Sequence, residues 1–158
     1  MMRILFVCMG NICRSPTVEA VARVELARAG LPAAVASAGT EDYHVGKPAD
    51  RRAIAVAEAA GYPMMAHRAR QVAAADFADY DHLLAMDATN LRALGRICPA
   101  AARDRIGLFL PFAGLASLDE VPDPYYGASR DFEQVLALAR DGVAALAARL
   151  QGCREAAR

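Results

Sequence analysis

The sequence predicts an α/β fold. One domain, residues 1–158, is built on a four-stranded parallel sheet with helices on both faces, as in flavodoxin-like or Rossmann-like proteins. Short apolar runs alternate with longer segments of helical periodicity, which is typical of parallel strands joined by helical crossovers. Gly30 and Gly61 stand where two of the helices should end. Hydrophobic residues make up 56% of the 158 residues, which is enough for one core.

Each predicted element has its own signal in the sequence. Apolar runs predict strands at residues 3–7, 33–38, 81–86 and 105–110. Periodic segments predict helices at residues 16–29, 50–60, 88–96 and 131–151. The last helix carries apolar residues three and four positions apart, and that stripe should cover the sheet. The polar tail 151–158 is expected to fray.

The segment between the first strand and the first helix carries the most chemistry. It reads Cys8-Met9-Gly10-Asn11-Ile12-Cys13-Arg14-Ser15-Pro16. Pro16 suits the first helical position and Ser15 its N-cap, while glycine and asparagine accept a tight, left-handed backbone. The backbone N–H groups of residues 9–14 should therefore converge at the positive end of the helix dipole and form a phosphate-binding loop.

Arg14 and Cys8 complete a site for a phosphate dianion. A guanidinium fork matches two phosphate oxygens at once, so Arg14 should grip the anion. Helix N-termini and neighbouring cations stabilise the thiolate form of a cysteine. We therefore expect Cys8 to face the bound oxyanion as a thiolate nucleophile. Its place after the first strand agrees with the fold, because open α/β sheets bind ligands beyond the carboxyl ends of their strands.

The segment 7–16 resembles the signature of the low-molecular-weight protein tyrosine phosphatases. Later segments resemble family segments in the family's order: Ser37-Ala38-Gly39-Thr40, Tyr43-His44-Val45-Gly46, Ala69-Arg70-Gln71, Met86-Asp87 with Asn90-Leu91, and Asp123-Pro124-Tyr125-Tyr126-Gly127. The likeness extends from Arg3 to about Leu150.

The resemblance implies a protein tyrosine phosphatase that needs neither metal nor cofactor. Cys8 would attack phosphorus and form a cysteinyl-phosphate, which water then hydrolyses. Arg14 and the loop amides would hold the phosphoryl oxygens. Asp123 would protonate the leaving group, although Pro122-Asp123-Pro124 is by itself a good turn sequence. The implied partners are a phosphotyrosine-containing protein substrate and phosphate or another oxyanion in the loop.

The resemblance also implies residues that support the loop. Asn11, Ser15, His67 and Asp87 would form a buried polar network, and Ser15 would donate a hydrogen bond to the nucleophilic sulfur. The residues alone leave two alternatives open. Without the resemblance, the sequence favours an ordinary surface histidine for His67 and a helix N-cap before Ala88 for Asp87.

Substrate recognition is the remaining implication of the resemblance. Ile12, Tyr43, Tyr125 and Tyr126 would line a pocket deep enough to favour phosphotyrosine over the shorter phosphoserine. The spacing of the cysteines gives a separate hypothesis: Cys13 lies five positions after Cys8 in a curled loop, so it would be a redox partner that forms a reversible disulfide with the nucleophile. Its alternative role is a small apolar side chain that fills the loop.

Three rival functions share parts of this pattern. A thiol-linked arsenate reductase needs further cysteines for electron relay, but Cys98 and Cys153 are widely separated and residues 81–90 contain none. A phosphoarginine phosphatase resembles the family but tends to carry threonine where this chain has Ile12. A phosphotyrosine-binding module without turnover is the third rival. The presence of all three residues Cys8, Arg14 and Asp123 argues against it, because binding alone would not need them.

Composition and residue spacing argue against nucleic-acid-binding, membrane-binding, secreted and metal-binding proteins. The 18 basic and 18 acidic residues cancel, so no global field favours nucleic acid or an anionic membrane. The apolar run after Met1 is too short for a signal peptide, which predicts a cytoplasmic protein. The four cysteines and three histidines lack zinc-ligand spacing, so no metal is expected. We expect a monomer and leave open a weak dimer through the surface that carries Tyr125 and Tyr126.

Overall fold

A four-stranded parallel sheet forms the centre of the computed structural model, which describes residues 1–158. Its strands are β1 (Met2–Cys8), β2 (Ala33–Gly39), β3 (His82–Ala85) and β4 (Ile106–Leu108). Their spatial order is β2-β1-β3-β4, and every neighbouring pair is parallel. The predicted fold class is confirmed.

Helices connect the strands and cover both faces of the sheet. They are α1 (Arg14–Arg28), α2 (Arg51–Ala59), α3 (Asp76–Asp79), α4 (Ala88–Ile97), α5 (Phe109–Ala113) and α6 (Ser129–Ala156), with a 3-10 turn at Ala100–Arg105. None of these helices combines the length and the apolar character that crossing a membrane would require.

Alternating residues of β1 divide the interior into two apolar layers. Ile4 and Phe6 point into the larger layer, with residues of α1, α5 and α6. Leu5 and Val7 point into the smaller one, with Phe77 of α3 and residues of α4. β1 is apolar throughout its second half because it has a strand on each side and a layer of side chains on each face. Cys8 ends this rigid strand opposite Gly39, the last residue of β2.

The start of α1 differs from the prediction. The helix begins at Arg14 and its N-cap is Cys13, so the expected N-cap role of Ser15 is wrong. Pro16 still lies in the first turn, where a missing N–H breaks no helical hydrogen bond. Because Ser15 is inside the helix, its side chain is available for the loop before it rather than for the helix end.

Most other bounds differ from the prediction by one or two residues, and two of the differences change the structure expected for a segment. β4 stops at Leu108 because Phe109 begins α5, whose first turn accommodates Pro111. The last helix continues to Ala156, so the tail expected to fray from residue 151 is helical over most of its length, and its residues are exposed. Arg154 helps to hold this last part, since its Nη1 donates to the carbonyl oxygen of Gly30 at 3.0 Å.

Helix α6 approaches α5 closely at Gly142. A Cβ atom on this residue would lie 2.6 Å from Cζ of Phe109 and 2.9 Å from Cδ2 of Leu110. Phe109 is fully buried, with its ring edge-on to Phe6 at 5.4 Å between centroids, and has no room to move aside. The glycine therefore sets the distance between α6 and α5.

We expect Gly142→Ala to lower the free energy of unfolding by about 1–3 kcal/mol, because the added methyl overpacks a filled core. The matched control is Gly152→Ala in the same helix, where an added Cβ has no neighbour within 4 Å. There alanine should be neutral or add up to about 1 kcal/mol through helix propensity. Urea denaturation of the two variants measures both values, and equal values would contradict the close-packing argument.

Candidate active site

The loop between β1 and α1 presents backbone donors that have no partner in the protein. None of the N–H groups of residues 9–14 donates to a backbone or side-chain acceptor. The side chain of the N-cap residue, Cys13, accepts no hydrogen bond from the first turn of α1 either. Such a set of free amides at a helix N-terminus is an anion-binding site.

Neighbouring segments hold this loop by its carbonyl oxygens. Thr40 N–H donates to Cys8 O at 2.9 Å, Glu41 N–H to Met9 O at 3.0 Å and Asp50 N–H to Ile12 O at 2.8 Å. A Cβ on Gly39 would lie 2.6 Å from Met9 O, so only glycine permits this approach. The carbonyls are thereby bonded outward while the amides remain free.

Asn11 holds the curve of the loop. It is fully buried and is the only non-glycine residue with a positive φ, at 57°. Its Oδ1 accepts from the backbone N–H of Arg70 at 3.0 Å. Its Nδ2 donates to Ser15 Oγ at 2.8 Å and to Ser37 Oγ at 2.9 Å. Asparagine tolerates left-handed backbone, and here every polar atom of its side chain is bonded.

The amide orientation of Asn11 decides where the serine protons point. A backbone N–H can only donate, so the atom facing Arg70 N is Oδ1 and the amide nitrogen faces both hydroxyls. Ser37 then donates to Glu19 Oε1 at 2.6 Å. Ser15 has one other partner, Cys8 Sγ at 3.0 Å, so its proton points to the sulfur. A donor aimed at sulfur stabilises negative charge there.

His67 is the fourth residue around Asn11. Its Nε2 lies 2.8 Å from the Asn11 carbonyl oxygen, so that nitrogen carries the proton and donates. His67 is partly buried, and this bond connects it to the loop. The structure thus brings His67, Ser15 and Asn11 together.

Arg14 is 2% exposed and is held by two acceptors. Its Nη1 donates to Asp87 Oδ2 at 2.6 Å and to the carbonyl oxygen of Val121 at 3.1 Å. Burial opposes the charged guanidinium, but Cys8, Asp87 and Asp123 outweigh that cost and raise the pKa of Arg14 above its usual value. Arg14 is therefore a fixed cation inside the cleft.

Asp87 joins the site through Arg14 and not through the Asn11 cluster. Its Oδ1 accepts from the backbone N–H of Asn90 at 2.7 Å and caps α4, while Oδ2 accepts from Arg14. The two alternatives that the sequence left open for Asp87 therefore coexist in one carboxylate.

Asp123 approaches Arg14 from the segment between α5 and α6. Its Oδ2 lies 3.7 Å from Arg14 Nη2, and its side chain is 45% exposed. Its Oδ1 accepts from the backbone N–H of Tyr125 at 3.1 Å, as in a turn. The carboxyl group is thus both a turn former and a member of the cleft.

The cleft has a volume of about 380 Å³ and combines the thiol, the guanidinium and aromatic walls. Its lining residues are Cys8, Met9, Gly10, Ile12, Cys13, Arg14, Tyr43, His44, Asp123, Tyr125 and Tyr126. The rings of Tyr125 and Tyr126 meet edge-on at 4.9 Å, and Tyr126 is 96% exposed. The cleft therefore has a polar, cationic bottom and an aromatic rim.

Cys13 is buried beside Cys8 on the same loop. Burial raises the pKa of its thiol far above the usual value, and the negative charges of Asp50, Cys8 and Asp123 act in the same direction. Cys13 is therefore a neutral thiol at physiological pH.

Sequence reasoning missed several residues of the site. Ser37 and Arg70 lie within segments that resemble the family, but no local signal indicates their contacts with Asn11, and Glu19 carries no local signal either. His44 lines the cleft and packs on Gly10, whose added Cβ would be 2.9 Å from His44 Cδ2. Asp50 and Arg52 form a pair beside the loop, and the Arg52 hydrogen bond lowers the pKa of Asp50.

The chemical capacity of this arrangement is narrow. A buried cysteine, free amides and a fixed guanidinium suit the transfer of a phosphoryl group to sulfur. The carboxyl group of Asp123 in the same cleft suits proton transfer to or from the group that leaves.

Comparisons with known proteins agree with this geometry. The family model described as "Low molecular weight phosphotyrosine protein phosphatase" matches residues 3–156. The protein of that name from Schizosaccharomyces pombe is 42% identical over 133 residues, which cover 82% of this chain and 85% of that protein. The human protein of that name is 41% identical over 140 residues, with 84% and 85% covered.

Solved structures give the same result. A protein tyrosine phosphatase from Entamoeba histolytica, with Hepes in the active site, superposes with a TM-score of 0.91 at 36% identity over 98% of this chain and 99% of that chain. Vibrio vulnificus Wzb in complex with benzylphosphonate superposes with a TM-score of 0.83 at 35% identity, with 94% and 98% covered.

Proposed function

This chain belongs to the low molecular weight phosphotyrosine protein phosphatase family, and we propose that it hydrolyses phosphotyrosine through a cysteinyl-phosphate on Cys8. One observation carries the proposal. Cys8 shares a cleft with the free amides of residues 9–14, the buried Arg14 and the carboxyl group of Asp123. Each group that an in-line displacement needs is therefore present at one point of the fold.

In the first step the thiolate of Cys8 attacks phosphorus. The S–P bond forms, the bond between phosphorus and the aryl oxygen breaks, and Asp123 gives its proton to that oxygen. Arg14 and the loop amides hold the three equatorial oxygens, where charge is concentrated in the transition state. The ion pair with Asp87 keeps the guanidinium in place throughout.

In the second step water attacks the phosphocysteine. Asp123, now a carboxylate, takes a proton from the water as the new P–O bond forms. The S–P bond breaks and the electron pair returns to Cys8. The Ser15 hydroxyl, which already points to that sulfur at 3.0 Å, stabilises the leaving thiolate.

The rim of the cleft suits an aryl phosphate. Ile12, Tyr43, Tyr125 and Tyr126 supply apolar walls above the phosphate site. The benzylphosphonate bound to the related Vibrio vulnificus protein is a phosphonate on a benzyl ring, and we extend that class of ligand to this chain. A protein carrying phosphotyrosine is the substrate we propose.

The rival functions have less support. Cys98 packs with the smaller apolar layer on the other face of the sheet from Cys8, and Cys153 is exposed near the end of α6. An electron relay from Cys8 would have to cross the protein to reach either of them. Phosphoarginine remains the second candidate substrate, and Ile12 beside the aromatic rim favours the aryl ester over it.

We propose that the enzyme works as a monomer in the cytoplasm. The reaction needs Cys8 as a reduced thiol, and a reducing compartment maintains that state. Tyr126 and its exposed surface leave room for a weak dimer, which sedimentation at increasing concentration would detect.

Replacing the nucleophile tests the function directly. We expect Cys8→Ser to lower hydrolysis of p-nitrophenyl phosphate and of a phosphotyrosine peptide by more than about a thousandfold, since an alcohol is a far weaker nucleophile than a thiolate. Cys153→Ser is the matched control, because that cysteine is exposed and distant, and it should keep full activity. Activity retained in Cys8→Ser would reject the proposal.

Replacing the acid should produce a loss that depends on the leaving group. We expect Asp123→Ala to reduce kcat/KM on phenyl phosphate by about 100-fold or more, and to reduce it much less on p-nitrophenyl phosphate, whose leaving group needs no proton. Asp119→Ala, at an exposed acidic residue four positions earlier, is the control. Equal losses on both esters would defeat the assignment of Asp123.

Cys13 should protect the nucleophile from oxidation. Peroxide would convert Cys8 to a sulfenic acid, and the Cys13 thiol would then displace water to form a disulfide. Because the pKa of Cys13 is raised, this closure should accelerate as pH rises above neutrality. Mass spectrometry should detect the Cys8–Cys13 link. After excess peroxide a thiol reductant should restore activity in the native enzyme but not in Cys13→Ala, where further peroxide oxidises the unprotected sulfenic acid irreversibly to the sulfinic and sulfonic acids.

A further inference from the structure

Two arginines hold the segment that carries Asp123, one on each side of it. Arg14 Nη1 donates to the carbonyl oxygen of Val121 at 3.1 Å. Arg52 Nη2 donates to the carbonyl oxygen of Tyr125 at 3.0 Å. The carboxyl group at position 123 therefore lies between two backbone points that are each fixed by a guanidinium group.

Each of these two arginines is in turn bound by an aspartate at the start of a helix. Asp87 caps α4 and binds Arg14, while Asp50 caps α2 and binds Arg52. The second pair is bidentate, with Arg52 Nε 3.1 Å from Asp50 Oδ1 and Nη2 2.9 Å from Oδ2. A bidentate pair fixes the plane of a guanidinium as well as its position.

The second pair also reaches the phosphate-binding loop and the last helix. Asp50 N–H donates to the carbonyl oxygen of Ile12 at 2.8 Å. The guanidinium carbon of Arg52 lies 4.4 Å from the ring centroid of Phe132 in α6. The pair thus connects three parts that are distant in sequence: the loop, α6 and the segment carrying the acid.

The contact with Tyr125 bears on the orientation of the acid. Asp123 Oδ1 accepts from the backbone N–H of Tyr125, so the carboxyl group is oriented by the same residue whose carbonyl Arg52 holds. If this carbonyl were released, the turn that directs Asp123 into the cleft would lose its anchor on the α6 side. Asp123 is half-exposed, so burial alone does not fix it.

We propose that Arg52, held by Asp50, is a positioning residue that keeps Asp123 opposite Cys8 for proton transfer. The inference rests on the proposed role of Asp123 as the acid. Arg52 lies outside the residues that line the cleft and acts through the backbone of Tyr125. Its side chain is 43% exposed, so removing it opens no cavity in the core.

The test compares the two leaving groups in Arg52→Ala. We expect kcat/KM on phenyl phosphate to fall by about tenfold to a hundredfold, the scale of a misplaced catalytic group, and kcat/KM on p-nitrophenyl phosphate to change by less than about threefold. Arg51→Ala is the matched control, because Arg51 is the preceding residue of the same helix, is exposed and makes no side-chain hydrogen bond. It should behave as the native enzyme on both esters.

Further variants separate positioning from a general effect on folding. The double variant Arg52→Ala with Asp123→Ala should lose no more on phenyl phosphate than Asp123→Ala alone, because a misplaced acid and an absent acid are equivalent. Asp50→Asn keeps the helix cap but weakens the hold on Arg52, so it should show the same leaving-group dependence to a smaller degree. Arg52→Lys should remain impaired, since an ammonium cannot bind Asp50 and Tyr125 in the same fixed plane.

The outcomes distinguish the two proposals. Equal losses on both esters in Arg52→Ala, or additive losses in the double variant, would overturn the positioning role. If Arg52→Ala does not fold, the same comparison in Asp50→Asn decides the question. If Asp123→Ala itself shows no leaving-group dependence, the assignment of the acid fails first.

Discussion

The buried side chain of Asn11 is the constraint on which the rest of the site depends. A loop that turns its amides inward leaves strong donors without protein partners, and such a conformation is unfavourable unless other bonds hold it. Asn11 meets this need with three side-chain hydrogen bonds and a fourth at its carbonyl, to Arg70, Ser15, Ser37 and His67. At roughly 1 kcal/mol each, these bonds exceed the small cost of one left-handed residue.

The same cluster links loop geometry to the chemistry of the sulfur. Since Asn11 can only donate to the two serines, each hydroxyl has its proton left for a second acceptor: a Glu19 oxygen for Ser37 and the Cys8 sulfur for Ser15. A change at any member would therefore alter both the shape of the loop and the hydrogen bond to the nucleophile. The loop is consequently pre-organised for an anion before one arrives.

Local sequence signals reached only the part of the site that is contiguous in the chain, whereas His67, Asp87 and Asp123 were assigned through the resemblance of their segments to a known family. Residues 8–15 could be assigned because a strand, a short loop and a helix fix their relative positions within one local unit. Ser37 and Arg70 could not, because they lie 26 and 59 residues from Asn11 and meet it only after the sheet has formed. The N-cap expected at Ser15 was wrong for a related reason: a local capping rule describes the helix, whereas buried Asn11 and Cys8 offered this hydroxyl stronger partners.

Asp87 and Asp50 each cap a helix and also bind an arginine of the site, so the two roles are not competing explanations of one residue. A carboxylate has two oxygens, and capping a helix needs only a hydrogen bond to the first turn. Asp87 uses one oxygen for α4 and offers the other to Arg14. Asp50 caps α2 and binds Arg52 with both oxygens. Each helix start thus supplies a rigid base for an arginine, and the two arginines hold the backbone on either side of Asp123. Asp123, on an exposed segment, thus gains its fixed position from the starts of α2 and α4, two helices that local sequence signals already predict.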